Sequence, residues 1–305
     1  MSVSPLDGIS VLILVTDLTL GGANKAMETL AVSLADLGAR CQVWALCGGG
    51  VLAEELARAG IESHVLGVSK HTLSWRSTNS VAELLRREKP TVVHSHNYEP
   101  NFHASAARRR ASVPWLFITQ HDARLRVHRV LANRWLRREV DQMVAVSRGL
   151  AELYCRRCGY KPEQVFVLPN AVDTDVFRPQ PRSEAVLEEL GLDDAEPVIG
   201  AVGGFAPHKG QDVLLRAFAL LLRHKPKARL VLVGGGKHLL QAQDLAQRLG
   251  ISDHVVFTGP REDVVQILSA LDFFVQPSRQ ETDGIAVKEA MAAGKAVVST
   301  ATMGP

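Results

Sequence analysis

The chain has 305 residues, of which 46% are hydrophobic and 22% charged, and its formal net charge is +3. This length favours two domains, and the composition is ordinary for a soluble globular protein. The longest apolar runs, such as residues 11–15 and 273–275, are too short to span a bilayer. Residues 1–8 lack the basic region of a signal peptide, so we expect a cytoplasmic protein.

Segments typical of strands and of helices alternate along the first half of the chain. Residues 11–15 form a continuous apolar run, as expected for a parallel strand that is covered on both faces. After Gly21 and Gly22, apolar residues recur at helical spacing until Gly38. Further strands are predicted at residues 42–46, 91–94, 116–119, 143–146 and 165–168. The alternation predicts the α/β class, with a doubly wound, Rossmann-like first domain over residues 1–172.

A second alternating series follows residues 173–182, a stretch of turn-forming residues that we interpret as the interdomain linker. It predicts a second Rossmann-like domain over residues 183–305. Because no helix follows its last strand, we expect this domain to be truncated, without its C-terminal piece. The predicted strands are residues 198–202, 230–233, 255–258, 273–276 and 296–299, and the predicted helices are residues 211–223, 239–249, 263–270 and 285–293.

Glycine-rich turns follow several of the predicted strands. Gly22 precedes a helix, where the backbone can approach a phosphate and the helix dipole favours its charge. Gly203 and Gly204, followed by Lys209, repeat this arrangement in the second domain and add a cation. A single such turn is more often structural than ligand-binding. Several of them at strand ends that face one cleft favour a phosphate site.

The segment around Glu281 is the most specific feature of the sequence. Glu281 lies in the loop after a predicted strand, and Glu289 lies about one and a half turns into the next helix. The helix N terminus near Gly284 can hold an anion, while the two carboxylates can accept hydrogen bonds from hydroxyl groups. A diphosphate with sugars at both ends matches this layout. Taken alone, a helix N-terminal charge and a solvated helix glutamate would be the simpler interpretation.

The run PSRQETDGIAVKEAMAAGKAVVST, residues 277–300, resembles the donor-site motif of the retaining glycosyltransferases of family 4. The resemblance covers nearly the whole chain and implies the GT-B fold. It further implies transfer of a hexosyl group from a nucleoside-diphosphate sugar to an acceptor, with retention of configuration; the arginine-rich segment at residues 108–138 suggests that the acceptor is lipid-linked or a cell-surface polysaccharide. It implies no cofactor and no metal ion, since the nucleotide sugar is a substrate. Shorter segments match in the same order at residues 21–23, 93–97, 119–122, 145–147, 168–173, 202–205, 209–210, 232–236 and 257–259.

The resemblance implies roles for individual positions. Glu281 matches a glutamate that contacts the donor sugar near the reacting carbon, and Glu289 matches one that binds the ribose hydroxyls. Lys209 matches a lysine that neutralises the diphosphate, and Gly22 lies in a loop that meets the same phosphates. His121 matches a histidine that contacts the donor sugar, which makes His121 and Glu281 the predicted catalytic residues. A leaving diphosphate requires positive charge and aligned amides more than a metal.

The sequence departs from the family pattern at several donor-site positions. Gly204 stands where the family usually has an arginine, and Asp283 replaces the phenylalanine of a Phe-Gly pair. Gly204 and Gly284 nevertheless complete the predicted donor-binding set. Ala296 replaces the usual proline after Gly294 and Lys295.

Positive charge is concentrated between residues 108 and 138, where nine arginines lie. Such a patch attracts anionic lipid, nucleic acid or an acidic substrate, and the alternative interpretation is a solvated helix face. We predict an anionic membrane surface as its partner and no nucleic acid. The residues are Arg108, Arg109, Arg110, Arg124, Arg126, Arg129, Arg134, Arg137 and Arg138.

Alternative functions stay open on the sequence. A metal-dependent hydrolase could use His94, His96 and His121 as ligands, but it would need carboxylates from a third segment. The sequence Asp-Thr-Asp at residues 173–175 resembles the metal-binding motif of the other large glycosyltransferase fold, yet it falls in the linker. A sugar-nucleotide epimerase would share the phosphate loops without the Glu281 motif. A truncated, inactive nucleotide-sugar-binding remnant is the most serious alternative.

Overall fold

The computed structural model describes residues 4–69 and 74–304 and forms two compact units, Met1–Ala171 and Val172–Pro305. The stretch predicted as the linker, residues 173–182, belongs to the second unit. Within the described residues, no helix is both long enough and apolar enough to cross a membrane.

The described residues of the first unit form a seven-stranded parallel sheet flanked by six α-helices. Its strands are β1 (Ser10–Asp17), β2 (Arg40–Gly48), β3 (Glu62–Val65), β4 (Val92–His96), β5 (Trp115–Gln120), β6 (Gln142–Ala145) and β7 (Val165–Val167). Its helices are α1 (Gly22–Asp36), α2 (Leu52–Arg58), α3 (Trp75–Glu88), α4 (Tyr98–Ala111), α5 (Val127–Leu136) and α6 (Arg148–Cys158). The strand order is β3-β2-β1-β4-β5-β6-β7.

The described residues of the second unit form a five-stranded parallel sheet of the same kind. Its strands are β8 (Val198–Val202), β9 (Arg229–Val233), β10 (Val255–Gly259), β11 (Phe273–Gln276) and β12 (Ala296–Ser299). Its helices are α7 (Glu184–Glu189), α8 (Gln211–Leu221), α9 (Leu239–Arg248), α10 (Val264–Ala270) and α11 (Ile285–Ala292). The strand order is β10-β9-β8-β11-β12.

Each sheet buries both of its faces, which explains the continuous apolar strands. In β1, Leu12 and Leu14 pack into one core of the first unit, while Ile13 and Val15 pack into the core on the opposite face. Side chains alternate between the faces of a strand, so a strand covered on both sides has no polar alternation. The predicted fold class, two doubly wound Rossmann-like sheets, is confirmed.

The strand order reverses at one point in each sheet, and that point positions the loops of interest. In the first unit β1 pairs with both β2 and β4, and in the second unit β8 pairs with both β9 and β11. Connections leave such neighbouring strands in opposite directions, which opens a crevice at their carboxyl ends. The loops after β8 and β11 carry Gly204, Lys209, Glu281 and Gly284.

Candidate functional site

Glu281 is held by its neighbours in the loop between β11 and α11. Its Oε2 accepts hydrogen bonds from Lys209 Nζ at 2.7 Å and from Gln276 Nε2 at 2.8 Å. Ser278 Oγ lies 3.4 Å from the same oxygen. The side chain of Glu281 is only 12% exposed and that of Lys209 is 26% exposed. The predicted sugar-contacting carboxylate and phosphate-neutralising cation therefore meet, although 72 residues separate them in sequence.

Lys209 reaches Glu281 because of the tight turn that follows it. Lys209 ends a short 3-10 helix, and Gly210 adopts a left-handed conformation with φ 69° before α8 begins. A Cβ at Gly210 would lie 2.0 Å from the carbonyl oxygen of Pro277. Only glycine allows this approach, so Gly210 brings the loop after β8 against the loop after β11.

A second ion pair joins the same two loops, and the sequence did not reveal it. Arg279 donates from both terminal nitrogens to the Asp212 carboxylate, at 2.7 Å each, and its Nη1 also donates to the carbonyl of Pro207. The backbone N–H of Arg279 donates to the His208 carbonyl at 2.8 Å. This pairing holds the pKa of Asp212 below its usual range. Arg279 and Asp212 thus join the loop that carries Glu281 to the segment that carries Lys209, without contacting Glu281 themselves.

The helix α11 begins at Gly284, whose left-handed conformation (φ 73°) turns the chain into its first turn. Asp283, the departure from the family pattern, is buried and forms an ion pair with Lys288, so its charge is compensated locally. Glu289 makes no side-chain hydrogen bond or ion pair to any described residue. Burial raises the pKa of Glu289 to about 7. A partly buried carboxylate that lacks a partner is suited to accept hydroxyl groups from a ligand.

Gly204 lies in the loop after β8, which packs against the loop after β9. Its carbonyl accepts a hydrogen bond from Gln211 Nε2 at 3.0 Å, which joins the loop to the start of α8. A Cβ at Gly234 would lie 2.3 Å from the Gly203 carbonyl oxygen, so the two glycine loops touch through their backbones. Because residue 204 is glycine, this loop lacks the arginine side chain that the family usually has here.

Gly22 is the first residue of α1, and it is exposed together with the Gly21 that precedes it. The loop before it is held by Asn24, which donates from its side chain to the carbonyls of Asp17 (3.1 Å) and Thr19 (2.9 Å). The exposed backbone at this helix N terminus is compatible with the predicted phosphate contact of Gly22. That contact stays a prediction.

Three histidines cluster at the carboxyl ends of β4 and β5. The rings of His94 and His96 lie 4.5 Å apart, and His96 Nδ1 lies 3.2 Å from His121 Nε2. His94 Nε2 lies 2.7 Å from the Thr119 hydroxyl oxygen. Burial lowers the pKa of His94 and His121 to about 4 and that of His96 well below its usual value. All three imidazoles are therefore neutral at pH 7 and can act as hydrogen-bonding groups but not as cations.

A cavity of about 170 Å³ opens beside this cluster within the first unit. Its wall includes Ala26 and Leu30 of α1, together with His96, His121 and Asn170. His96 Nε2 is buried and has no hydrogen-bond partner within residues 4–69 and 74–304. Since an unpaired buried polar atom is costly, it is suited to a ligand hydroxyl.

Of the nine arginines predicted to form a cationic surface, five form ion pairs or hydrogen bonds with neighbouring side chains. The surface therefore has fewer uncompensated charges than the sequence predicts. Arg108 pairs with Asp141, Arg109 with Glu139, Arg124 with Asp122, and Arg129 with Glu99 and Asp122, while Arg110 binds Asn79 and stacks on Trp75. Asp122 lies within the arginine-rich segment, whereas Glu99, Glu139 and Asp141 lie outside it or at its edge, so the local sequence shows only part of the compensation. Arg126, Arg134, Arg137 and Arg138 remain outside these pairs.

The hydrolase alternative requires a metal site. Within residues 4–69 and 74–304, no group of three or more His, Cys, Asp or Glu side chains could hold a metal ion. The imidazoles of His94, His96 and His121 do meet. However, Asp122, the nearest carboxylate in sequence, is occupied by Arg124 and Arg129. In the Asp-Thr-Asp sequence, Asp173 accepts the backbone N–H of Asp175 at 2.9 Å, which is a turn-forming contact.

Two family sequence models match the chain, one to each unit. Residues 20–176 match Glycosyltransferase Family 4, and residues 183–305 match Glycosyl transferases group 1. The chain therefore belongs to Glycosyltransferase Family 4, whose model covers more than half of it. The donor-site and histidine residues described above lie within the two matched segments.

Individual relatives agree with this assignment. The D-inositol 3-phosphate glycosyltransferase of Nocardia farcinica is 31% identical over 92% of this chain and 69% of its own length. A GDP-mannose-dependent phosphatidylinositol monomannoside mannosyltransferase of Mycolicibacterium smegmatis is 39% identical over 43% of this chain and 37% of its own length. The crystal structure of Anabaena HepE in complex with UDP and glucose shares the fold, with a TM-score of 0.86 and 21% identity over 97% of this chain and 82% of HepE.

Proposed function

We propose that this glycosyltransferase moves a hexosyl group from a nucleoside-diphosphate sugar to an acceptor hydroxyl, with retention of configuration. The observation that carries the proposal is the contact between Lys209 and Glu281 at the carboxyl ends of β8 and β11. It places a cation and a carboxylate where doubly wound sheets bind nucleotides. UDP and glucose are bound in the HepE crystal structure, which has the same fold.

In this proposal the second unit binds the donor. Lys209 leaves Glu281 to neutralise the diphosphate, the N terminus of α11 at Gly284 faces a phosphate, and Glu289 accepts hydrogen bonds from the ribose. Gly204 provides close backbone approach without a side chain. Removing Lys209 from Glu281 leaves the carboxylate available to hydroxyl groups of the sugar.

The reaction exchanges one bond at the anomeric carbon for another. The bond from that carbon to the diphosphate oxygen breaks, and a bond to the acceptor oxygen forms on the same face of the sugar. The acceptor proton passes to the leaving diphosphate, whose negative charge Lys209 stabilises. We propose that His121, neutral and buried, contacts the transferred sugar, as the family resemblance implies.

We propose that the acceptor is lipid-linked or a cell-surface polysaccharide. The first unit offers the uncharged cavity beside His96 and His121, which suits a hydroxyl-bearing group. The M. smegmatis relative is a phosphatidylinositol monomannoside mannosyltransferase, which supports a lipid-linked acceptor.

Transfer assays with UDP-glucose and GDP-mannose test the proposal, with release of the nucleoside diphosphate and product NMR as readouts. We expect one donor to yield product with the anomeric configuration of the donor. Glu281→Gln should lower kcat by at least about a hundredfold, because it removes a carboxylate at the reacting centre. Glu188→Gln is the matched control, since Glu188 is exposed on α7 and has no side-chain partner among the described residues.

Each other result has a defined meaning. Equal activity of Glu281→Gln and the wild-type protein would contradict the assigned site. An inverted product would contradict retention. Donor binding without turnover by the wild-type protein would replace the enzyme proposal with the alternative, a nucleotide-sugar-binding protein.

A further inference from the structure

Helix α5 in the first unit exposes a row of large apolar side chains. Val127 is 74% exposed, Leu131 is 62% exposed and Trp135 is 64% exposed. These residues are four positions apart, so they lie along one side of the helix. Single exposed apolar residues are common on proteins, but three on one helix face form a contiguous patch.

The opposite side of α5 is the one that packs on the protein. Asn133 and Leu136 are buried, and α5 contacts α4 and α6. The apolar row is therefore not a displaced core face. One side of α5 packs on the protein through Asn133 and Leu136, and the outer side, which carries the apolar row, lies open.

Positive charge surrounds the exposed row. Arg134 lies on the same side of α5 beside Trp135, Arg126 precedes the helix, and Arg138 follows it. All three are exposed and form no ion pair with any described residue. On the adjoining helix α6, Arg156 and Arg157 are also exposed.

The neighbouring acids do not cancel this charge. Asp122 is taken by Arg124 and Arg129, and Glu139 is taken by Arg109. Glu152 on α6 is the exposed acid that remains close by in sequence. The surface is thus both apolar and cationic.

We propose that the outer face of α5, formed by Val127, Leu131 and Trp135 with Arg126, Arg134 and Arg138, docks on an anionic lipid surface. Apolar side chains flanked by arginines are the pattern of helices that lie in the membrane interface, where tryptophan is enriched. Arginines near the surface add attraction to acidic headgroups. The inference goes beyond the proposed transfer reaction, since a surface can bind lipid whether or not the chain transfers a sugar.

A second copy of the chain fits this face less well. A two-fold contact through α5 would bring the arginines of one copy near those of its partner, because both partners use the same surface. Like charges would then oppose the association. An acidic lipid surface complements the apolar row and the arginines at once.

Flotation of the full chain with vesicles tests the proposal. We expect binding to phosphatidylcholine vesicles that contain phosphatidylglycerol, weaker binding without it, and weaker binding at high salt. The double variant Leu131→Ser/Trp135→Ser should bind at least about tenfold more weakly. Arg134→Gln/Arg138→Gln should show a weaker dependence on phosphatidylglycerol, because Arg126 is the only arginine of this face that remains. Trp115→Ser is the matched control, since Trp115 is 53% exposed elsewhere in the first unit and should bind like the wild-type protein.

The binding of UDP in solution separates this proposal from the proposed function. It should be unchanged in every α5 variant, which also shows that the variants fold. The proposal would be overturned if the wild-type protein did not bind vesicles, or if Leu131→Ser/Trp135→Ser bound them as tightly as the wild-type protein. Self-association of the wild-type protein in sedimentation without lipid would also overturn the proposal if Leu131→Ser/Trp135→Ser abolished it. That result would show that this face binds a second copy of the chain.

Discussion

The two units share one architecture but differ in the chemistry at the carboxyl ends of their strands. In the first unit, β4 and β5 end in buried imidazoles that carry no charge at pH 7. In the second unit, the loops after β8 and β11 carry the ion pairs Lys209–Glu281 and Arg279–Asp212. One fold therefore supports a neutral cluster at the strand ends of one unit and charged loops at the strand ends of the other. The difference matches the proposed division of roles, since a diphosphate needs positive charge and an acceptor hydroxyl does not.

The comparison predicts that buried His94 and His121 of the first unit and buried Glu289 of the second respond to acid in opposite directions, with the larger response from the histidines. His94 and His121 have pKa values near 4 in the folded chain and about 6.5 when unfolded. Their stabilising contribution is present above pH 6.5 and is lost as the pH falls towards 4, because the unfolded chain then binds more protons. We expect protonation of these two histidines to lower the unfolding free energy of the first unit by about 5 kcal/mol between pH 7 and 4.5.

Tryptophan fluorescence in urea titrations measures this response, because all four tryptophans lie in the first unit. His94→Gln should reduce the pH dependence by about half, because His121 keeps its share. His128→Gln, which changes an exposed histidine on α5, should leave it unchanged. A dependence in His94→Gln as large as that of the wild-type protein would show that other groups dominate.

The second prediction concerns the turn that holds the charged loops together. Gly210→Ala should lower the unfolding free energy of the second unit by about 3 kcal/mol, because alanine disfavours φ 69° and its Cβ would collide with the Pro277 carbonyl. The loss should appear in circular dichroism but not in tryptophan fluorescence. Gly250→Ala is the control: φ is 66° there and no atom lies within 4 Å of the added Cβ, so about 1 kcal/mol is expected. Equal losses would contradict the steric explanation.

The third prediction is the acid response of the second unit. Burial raises the pKa of Glu289 to about 7, above its value in the unfolded chain. Its stabilising effect is present below about pH 4.5 and is lost as the pH rises through 7, which is the opposite sign to the histidines. Glu289→Gln should therefore stabilise the second unit by about 3 kcal/mol at pH 8 and by less than about 1 kcal/mol at pH 5.

Circular dichroism in urea at the two pH values measures this difference, since the first unit can be followed separately by fluorescence. Glu188→Gln, on exposed α7, should show no dependence on pH. A stabilisation by Glu289→Gln that is equal at pH 5 and pH 8 would contradict burial as the cause.

The smallest stability effect is expected at the exposed pair of Arg279 and Asp212. Both side chains are 48% exposed, so Arg279→Gln should change the unfolding free energy by less than about 1 kcal/mol. It should nevertheless raise the KM for the donor about fivefold, because it loosens the loops around Lys209 and Glu281. Arg248→Gln breaks a comparable exposed pair with Asp244 on α9 and should leave KM unchanged. Equal KM values in both variants would remove Arg279 from the positioning of the donor.

The sequence predicted the strands of the second unit well, because buried parallel strands are short apolar runs between turns. Residues 198–202, 273–276 and 296–299 have the predicted bounds. In the first unit, β3 was not predicted: its sequence, Glu-Ser-His-Val, lies at the sheet edge and is largely exposed. An edge strand with exposed polar residues lacks the apolar signal on which the prediction depends.

The candidate site was predicted only where a local motif announces it. The run from Glu281 to Glu289 and the turn at Lys209 are local patterns. The pairing of Arg279 with Asp212 spans 67 residues, so no spacing rule reveals it. The arginines of residues 108–138 misled in the same way, since Glu99, Glu139 and Asp141 compensate several of them from outside or from the edge of that segment. Charge balance in space follows from the fold and not from neighbours in sequence.

The affinity of the wild-type protein and of Lys209→Met for UDP, measured by calorimetry, tests most directly the claim that the second unit holds a nucleoside diphosphate. Lys227→Met is the matched control, because Lys227 is exposed just before β9, at the opposite end of the strands. The account predicts at least about tenfold weaker binding for Lys209→Met and unchanged binding for Lys227→Met. Equal affinity of Lys209→Met and the wild-type protein would contradict it.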